Sequence, residues 1–294
     1  MSIPRDHHFI PIFYLKKWMG ADGKLFEYSR PYANKFAVKR VGPGGTGFKT
    51  DLYTFPNCSP EIAHHLEAVF LMETDNDAAK ALQKHLIGDN QIWTLEQRSA
   101  WSRFINNFRI RHPDTFAEVK AAVNFNWLRG DAATEKQYAL LRQPHHPPTF
   151  EEWVRSQGNE LEARIIVRLL QTVLDNEPAG GRVNQMLWNV LDLSASRFGL
   201  LTSDWPLYRE FAGERKLLML PLSPTVIFTA ATHRNIFEKV RKQRPDDLVR
   251  VVNEYVVSTA RRFVYSNDNR QERFISNRMS TAKEMPPFYP SLVR

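Results

Sequence analysis

The sequence predicts an α+β protein, predominantly helical, with a small mixed or antiparallel sheet built from N-terminal and C-terminal strands. Three observations point there. Apolar residues recur at helical spacing through the middle of the chain, behind the start signals Ser59-Pro60-Glu61, Thr94-Leu95-Glu96-Gln97 and Thr149-Phe150-Glu151-Glu152. The period shortens toward alternation at Lys24–Arg30 and Phe36–Val41, and again between Met186 and Ser266. Finally, 43% hydrophobic and 24% charged residues in a chain of 294 are ordinary for a globular protein with ample material for a core.

The first element is the segment from Asp6 to Trp18. It crowds His7, His8, Phe9, Phe13, Tyr14 and Trp18 together, which predicts docking rather than fraying. Pro11 favours extended backbone before it and a helical first turn after it. His8 then sits just ahead of a short helix, facing a groove, and Tyr14 offers its hydroxyl to the same groove one turn on. Lys24–Arg30, entered through Asp22-Gly23, and Phe36–Val41 read as paired strands. The Gly-rich run Gly42–Thr50 approaches a phosphate-binding loop, but Phe48 separates the last glycine from Lys49-Thr50 and no helix follows. A flexible connection is expected, with Asp51–Pro56 extended.

A helix opens at Ser59-Pro60 and runs to about Ile87, with Leu66, Val69, Phe70, Ala81 and Leu82 inward. Glu67 and Glu73 are six apart and so point to separate faces. Glu73, beside Leu71-Met72, is the carboxylate that burial would make chemically meaningful, with a surface or capping role as its equal alternative. The next helix has Trp101, Phe104 and Phe108 as its stripe, and Arg98 and Arg109 along one edge. It ends in Arg109-Ile110-Arg111-His112-Pro113. Cations there suit the helix dipole, the role expected of Arg111. Paired, Arg109 and Arg111 would make a carboxylate or phosphate clamp, and Arg109 is expected to hold an anion.

Phe116–Trp127 continues helical. Residues 1–294 are expected to form a single domain, with a subdomain break near residues 143–149, at Gln143–Pro148. The helix Glu160–Asn176 is stopped by Pro178-Ala179-Gly180-Gly181. Strands Met186–Leu191 and Phe198–Thr202 feed the turn Ser203-Asp204-Trp205-Pro206, and Leu217–Leu220 and Val226–Thr229 extend a sheet whose prolines, Pro221 and Pro224, favour an edge or a bulge. A last helix starts at Pro245-Asp246-Asp247 and runs to about Arg262, Phe263–Ser266 is a final strand, and residues 268–294 are expected to be a partly irregular tail.

Several of these motifs, in this order, resemble the bacterial domain-of-unknown-function family 4238. They are His8-x-x-Pro11-x-x-Tyr14-Leu15-x-x-Trp18, Leu52-Tyr53-Thr54, Glu67 and Glu73, Arg109 to Pro113, Thr202-Ser203-Asp204-Trp205-Pro206, Pro221 to Pro224, and Arg262 to Ser266. The family usually carries Phe where Trp18 stands. The resemblance implies a common fold and site, and no particular reaction.

Strand ends are favoured places for functional groups, which singles out Ser203-Asp204. An Asx-turn gives Asp204 a structural role of equal weight. If His8 meets Asp204, three uses compete: a structural contact, a general base oriented by its carboxylate, or a divalent metal held by His8, Asp204 and Glu73. The expected catalytic set is therefore His8, Asp204 and Glu73, with Arg109, Tyr14 and Ser203 binding substrate. A Ser203–His8–Asp204 triad fails, because neighbouring residues cannot flank one imidazole from opposite sides. The expected activity is that of a hydrolase or nuclease-like enzyme acting on a phosphate-bearing substrate or nucleic acid. The competing expectation is a non-catalytic module that binds an anionic ligand, nucleic acid or a partner protein.

Forty basic against 32 acidic residues, a formal charge of +8, favour polyanionic partners such as nucleic acid or nucleotides. A lone cysteine, Cys58, excludes an intramolecular disulfide and any cysteine-based metal cluster, and fits a reducing compartment. No apolar run approaches the ~20 residues of a membrane span, and the first residues lack a signal-peptide core. The expected location is cytoplasmic.

Overall fold

The backbone leaves the N-terminal segment extended and then coils it at once. Residues 5–32, 35–55, 58–88, 92–128, 131–175, 177–212 and 214–282 are described by a computed structural model. β1 (Asp6–His8) leads into α1 (Ile12–Leu15), capped by Pro11 in extended geometry and prolonged by a 3-10 turn at Lys16–Trp18. Phe9, Ile10, Tyr14, Leu15 and Trp18 are all buried. The docking expected of this segment is what the fold shows. β2 (Leu25–Tyr32) and β3 (Lys35–Val41) then form an antiparallel hairpin.

The glycine-rich run is not a free connection. β4 (Phe48–Thr50) returns to pair antiparallel with β1, a partner some 42 positions back that no local signal announces. Gly47 makes the return possible. Its φ is +68°, and a Cβ there would lie 3.1 Å from that of Ile10. Its carbonyl accepts the Phe9 and Ile10 N–H groups at 2.9 and 3.1 Å.

The helical middle begins with one rod in three parts: α2 (Pro60–His65), a π-helical stretch (Leu66–Leu71) and α3 (Met72–Ile87). Next come α4 (Leu95–Ile110), α5 (Pro113–Leu128), α6 (Ala132–Leu141), α7 (Phe150–Ser156) and α8 (Asn159–Leu174). The boxes at Thr94/Gln97 and Thr149/Glu152 are both closed reciprocally, as their spacing predicts. The Pro-Ala-Gly-Gly run, expected only to stop a helix, lies inside another, α9 (Glu177–Asn184). Pro178 occupies its first turn, where a missing N–H costs nothing. Arg98 anchors the far end by donating to the Asn184 and Met186 carbonyls at 2.5 and 3.0 Å.

The remaining elements are β5 (Leu187–Asp192), β6 (Thr202–Ser203), β7 (Tyr208–Ala212), β8 (Arg215–Pro221), β9 (Val226–Ala231), α10 (Arg234–Arg241), α11 (Pro245–Thr259), β10 (Phe263–Ser266) and α12 (Glu272–Arg278). They make two four-stranded antiparallel sheets, β3-β2-β10-β6 and β5-β9-β8-β7, beside the β1-β4 pair. The first sheet joins N-terminal to C-terminal strands, and the chain is an α+β protein with antiparallel pairing throughout.

Three local expectations are corrected. Phe198–Leu201 is no strand: Leu200 N–H donates to the Pro224 carbonyl (2.7 Å) and Leu201 N–H to Asn253 Oδ1 (2.8 Å), so a loop and a side-chain amide take the place of a ladder. β8 is an interior strand, and Pro221 is tolerated as its last residue. α12 gives order to the expected tail by burying Ile275, with Met279 just beyond it. The expected segment ends at Pro56 and Asn176, and the tail beyond Ala282, lie outside the described residues.

One apolar cluster packs α1, α3 and α4 on β8 and β9 through Tyr14, Trp101, Phe104 and Phe228. A second gathers around Val252 and Val256 of α11, and a third joins the π-helical stretch to α5 and α8. The end of α4 lies where these regions meet. No helix among the described residues is long and apolar enough to cross a membrane.

Candidate functional site

Asp204 is buried, as its place after a strand suggested, but the imidazole it meets is that of His112 and not of His8. Its Oδ1 accepts from the Arg261 N–H at 2.9 Å and its Oδ2 from the Arg262 N–H at 2.7 Å, with His112 Nε2 at 3.3 Å from Oδ2. The Asp114 N–H donates to His112 Nδ1 at 3.3 Å, which assigns the ring proton to Nε2 and makes that nitrogen the donor to Asp204. Both ring nitrogens are thus engaged in a side chain with no solvent exposure. The register explains the exchange: pairing with β4 sets His8 against Phe48 at 5.5 Å between ring centres, while the α4–α5 junction delivers His112 to the loop after β6.

Ser203 and Tyr14 are likewise spent internally. Ser203 Oγ accepts the Trp205 N–H at 3.0 Å, closing a local turn. Tyr14 Oη donates to the Pro221 carbonyl at 2.8 Å with Thr202 Oγ1 also at 2.8 Å, and burial raises its pKa. Both Asp204 oxygens are engaged by the Arg261 and Arg262 N–H groups and by His112, not by an Asx-turn of its own segment. Replacing Tyr14 by phenylalanine is therefore expected to cost roughly 1–3 kcal/mol by stranding buried acceptors, readable as a lower denaturant midpoint. A tyrosine that served only a ligand would leave that midpoint unchanged.

A second polar centre assembles around Arg111, which is 2% exposed. Its Nη1 and Nη2 bind the two carboxylate oxygens of Asp75, and Nη2 also donates to the His8 carbonyl at 2.7 Å. Tyr53 Oη donates to the Arg111 carbonyl at 2.8 Å. The Tyr53 N–H donates to His7 Nδ1 at 3.0 Å, and the two rings stack with centres 5.6 Å apart and planes 4° from parallel. Burial works against the Arg111 charge, but Asp75, Tyr53 and Glu67 together raise its pKa above the ordinary value.

Glu67 is the carboxylate that joins this centre, and Glu73 is not. Glu73 is exposed, as is its neighbour Met72 at 59%. The cause is the π-helical stretch. Residues eight apart on a regular helix differ by about 80° in azimuth. The extra residue held in a π turn takes back about 100°, so Glu67 and Asp75 share a face. Thr74 turns inward and Glu73 outward. Burial pushes the Glu67 carboxyl up to about 7, opposed by Arg111 and assisted by Asp75. Burial also lowers the His8 pKa, the Gly44 backbone opposing and Arg111 reinforcing it. Glu67 Oε2 and His8 Nε2 are both shielded from solvent and without hydrogen-bond partners among the described residues.

Arg109 and Arg111 do not form a clamp. Residues two apart on a helix point about 200° away from one another. Arg111 turns to Asp75, while the Arg109 guanidinium lies over Trp205 at 4.7 Å from the ring centre. Burial, with the nearby charges of Arg209 and Arg261, lowers the Arg109 pKa to about 9. Arg98, expected on the same edge, instead stacks on Trp188 at 3.8 Å. His8, Asp204 and Glu73 do not converge: among the described residues no group of three or more His, Cys, Asp or Glu side chains could hold a metal ion.

The sequence favoured a helix-end role for Arg111 over a clamp with Arg109, offered His112 only as a helix-end cation, set Glu67 aside and gave no signal for Asp75. The signal it lacked was the π turn.

The fold and this centre define an α+β protein with a half-buried imidazole, two carboxylates and a guanidinium gathered at the end of β1, the π turn and the end of α4. The chain belongs to the family described as proteins of unknown function DUF4238, whose model matches residues 6–270. No curated protein and no solved structure matches it.

Proposed function

We propose that the chain is a cytoplasmic hydrolase that acts on a phosphate ester by acid–base chemistry, with Glu67 as the acid and His8 as the base. One observation carries this: Glu67 Oε2 and His8 Nε2 are shielded and unpartnered within the field of one Arg111–Asp75 pair. Burial moves a carboxyl up and an imidazole down, so a protonated acid and a neutral base coexist near neutral pH. His8 takes a proton from water as the water oxygen bonds to phosphorus. The ester P–O bond breaks, and Glu67 gives its proton to the leaving oxygen. Arg111, held by Asp75, supplies fixed positive charge nearby. The basic surplus of +8 fits an anionic substrate.

The test is turnover of a panel of phosphomonoesters, nucleotides, RNA and DNA by the parent, Glu67→Gln and His8→Ala. Activity should rise as pH passes the lowered His8 value and fall above about 7, where Glu67 loses its proton. Glu67→Gln should lower the rate about 100-fold. It should also stabilise the fold at pH 8. A carboxyl whose folded pKa lies above its unfolded one contributes stability that is full at low pH and lost as pH rises through about 7. Removing it should gain roughly 2 kcal/mol after allowance for its partial contact with solvent. Loss of activity with a gain in stability marks a catalytic role, and unchanged rates in both variants refute it.

A second reading, nucleic-acid binding, is favoured by a pocket of about 280 Å³ lined by Tyr138, Phe150, Trp153, Arg142 and His146. Aromatic faces beside a guanidinium suit stacked bases. Binding that is absent, or insensitive to salt, removes it.

A further inference from the structure

α4, the end of α8 and α9 enclose a cleft of about 290 Å³. Ser99, Arg103 and Asn106, at i, i+4 and i+7, come to it from one face of α4. Arg103 donates through Nε to Asp175 Oδ1 at 2.6 Å, and among the described residues neither its Nη groups nor Asp175 Oδ2 makes a further hydrogen bond. Asn106 Nδ2 is shielded from solvent and has no acceptor among those residues. Ser99 Oγ accepts from Asn184 Nδ2 at 3.1 Å, which leaves its own proton to donate. One wall thus presents donors, and beside them stands a carboxylate at the end of α8, where the helix dipole also favours a cation. The wall made by α9 is bare. Gly180 and Gly181 lie inside that helix, where each costs stability relative to alanine. Their φ angles are not left-handed, and a Cβ on either would meet no atom beyond the helix's own backbone within 4 Å. Neither conformation nor crowding asks for glycine here; the pair keeps the cleft open. A lone anion would be opposed by Asp175 and a lone cation by Arg103, whereas a ligand with both charges on adjacent groups meets each with its opposite.

We propose that this cleft binds a free α-amino acid, its carboxylate taken by Arg103, Asn106 and Ser99 and its ammonium by Asp175 Oδ2. The site goes beyond the acid–base reading and shares no residue with it. The test is thermal melting and isothermal titration of the full chain with each of the common L-amino acids. At least one should raise the melting temperature saturably and titrate with a stoichiometry of one. Its N-acetyl derivative and its primary amide, each lacking one of the two charges, should bind at least about 10-fold more weakly. Asp175→Asn should weaken binding by a similar factor and keep the fold, because the Arg103–Asp175 pair is partly exposed. Gly181→Leu should close the cleft and, without ligand, melt no lower than the parent, since leucine is the better helix former. Glycines that served the fold alone would leave the titration of that variant unchanged. Glu67→Gln should keep the full response, so failure of the acid–base reading does not imitate failure here. No saturable response to any amino acid, equal binding of the N-acetyl derivative, the amide or glycerol, or an undiminished response in Gly181→Leu overturns the proposal.

Discussion

Arg111→Ala is expected to destabilise the fold by about 3–5 kcal/mol, the usual result of removing one partner from a buried charged pair. The side chain is 2% exposed and engages both Asp75 oxygens and the His8 carbonyl. Truncation strands Asp75 beside Glu67, two carboxylates whose charges already oppose one another. Arg111→Lys should recover only part of the loss, because an ammonium cannot span both oxygens and reach the carbonyl in one plane. The informative comparison is a double-mutant cycle with Arg111→Met and Asp75→Leu, followed by urea unfolding. The double variant should be more stable than Arg111→Met alone, giving a coupling of about 2 kcal/mol or more. Strict additivity would mean that the pair is not what holds β1 to the end of α4.

What could be foreseen from the residues follows a physical division. Signals confined to a few neighbours were legible: the capping boxes at Thr94 and Thr149, the proline-led starts at Pro60 and Pro245, the alternation that becomes β2 and β3, and the short apolar runs that become β8 and β9. Features settled by distant partners were not. β1 and β4 are three residues each and become strands only by finding one another, and Leu200 and Leu201 are held by Pro224 and Asn253. The candidate site divides the same way. Burial of Asp204 was legible from its place after an apolar run, but its partner was not, since His112 arrives from a helix junction 92 positions away. Glu73 was favoured over Glu67 for its apolar neighbours Leu71-Met72, and the π turn between the two carboxylates leaves Met72 and Glu73 facing outward. Arg109 and Arg111 looked like one clamp because they are close in sequence. On a helix that spacing separates them, and each now belongs to a different charged centre.

The second large effect concerns His85, which no proposed activity uses. Its ring lies among Trp93, Trp101 and Phe228 at 4.3, 4.7 and 4.9 Å between centres, with Trp188 at 5.9 Å. Burial, helped by the charges of Arg98 and Lys84, lowers its pKa to about 3. An imidazole whose folded pKa is depressed is neutral in the native state while the unfolded chain takes up a proton near pH 6.5. The stability is therefore fully present above pH 6.5 and lost progressively as pH falls toward 3. Between pH 7 and pH 4 the loss from this residue should reach about 3 kcal/mol. His85→Phe keeps an aromatic ring in the cluster and removes the proton site. It should unfold close to the parent at pH 7 and hold that stability better on acidification, so that the two denaturation curves separate steadily below pH 6. The opposing force is attraction of an imidazolium to the indole faces, worth up to roughly 2 kcal/mol in a desolvated site. If that attraction outweighed desolvation, the order would reverse and the phenylalanine variant would be the weaker one at pH 5. The sign of that single difference decides whether this aromatic cluster excludes a cation or harbours one.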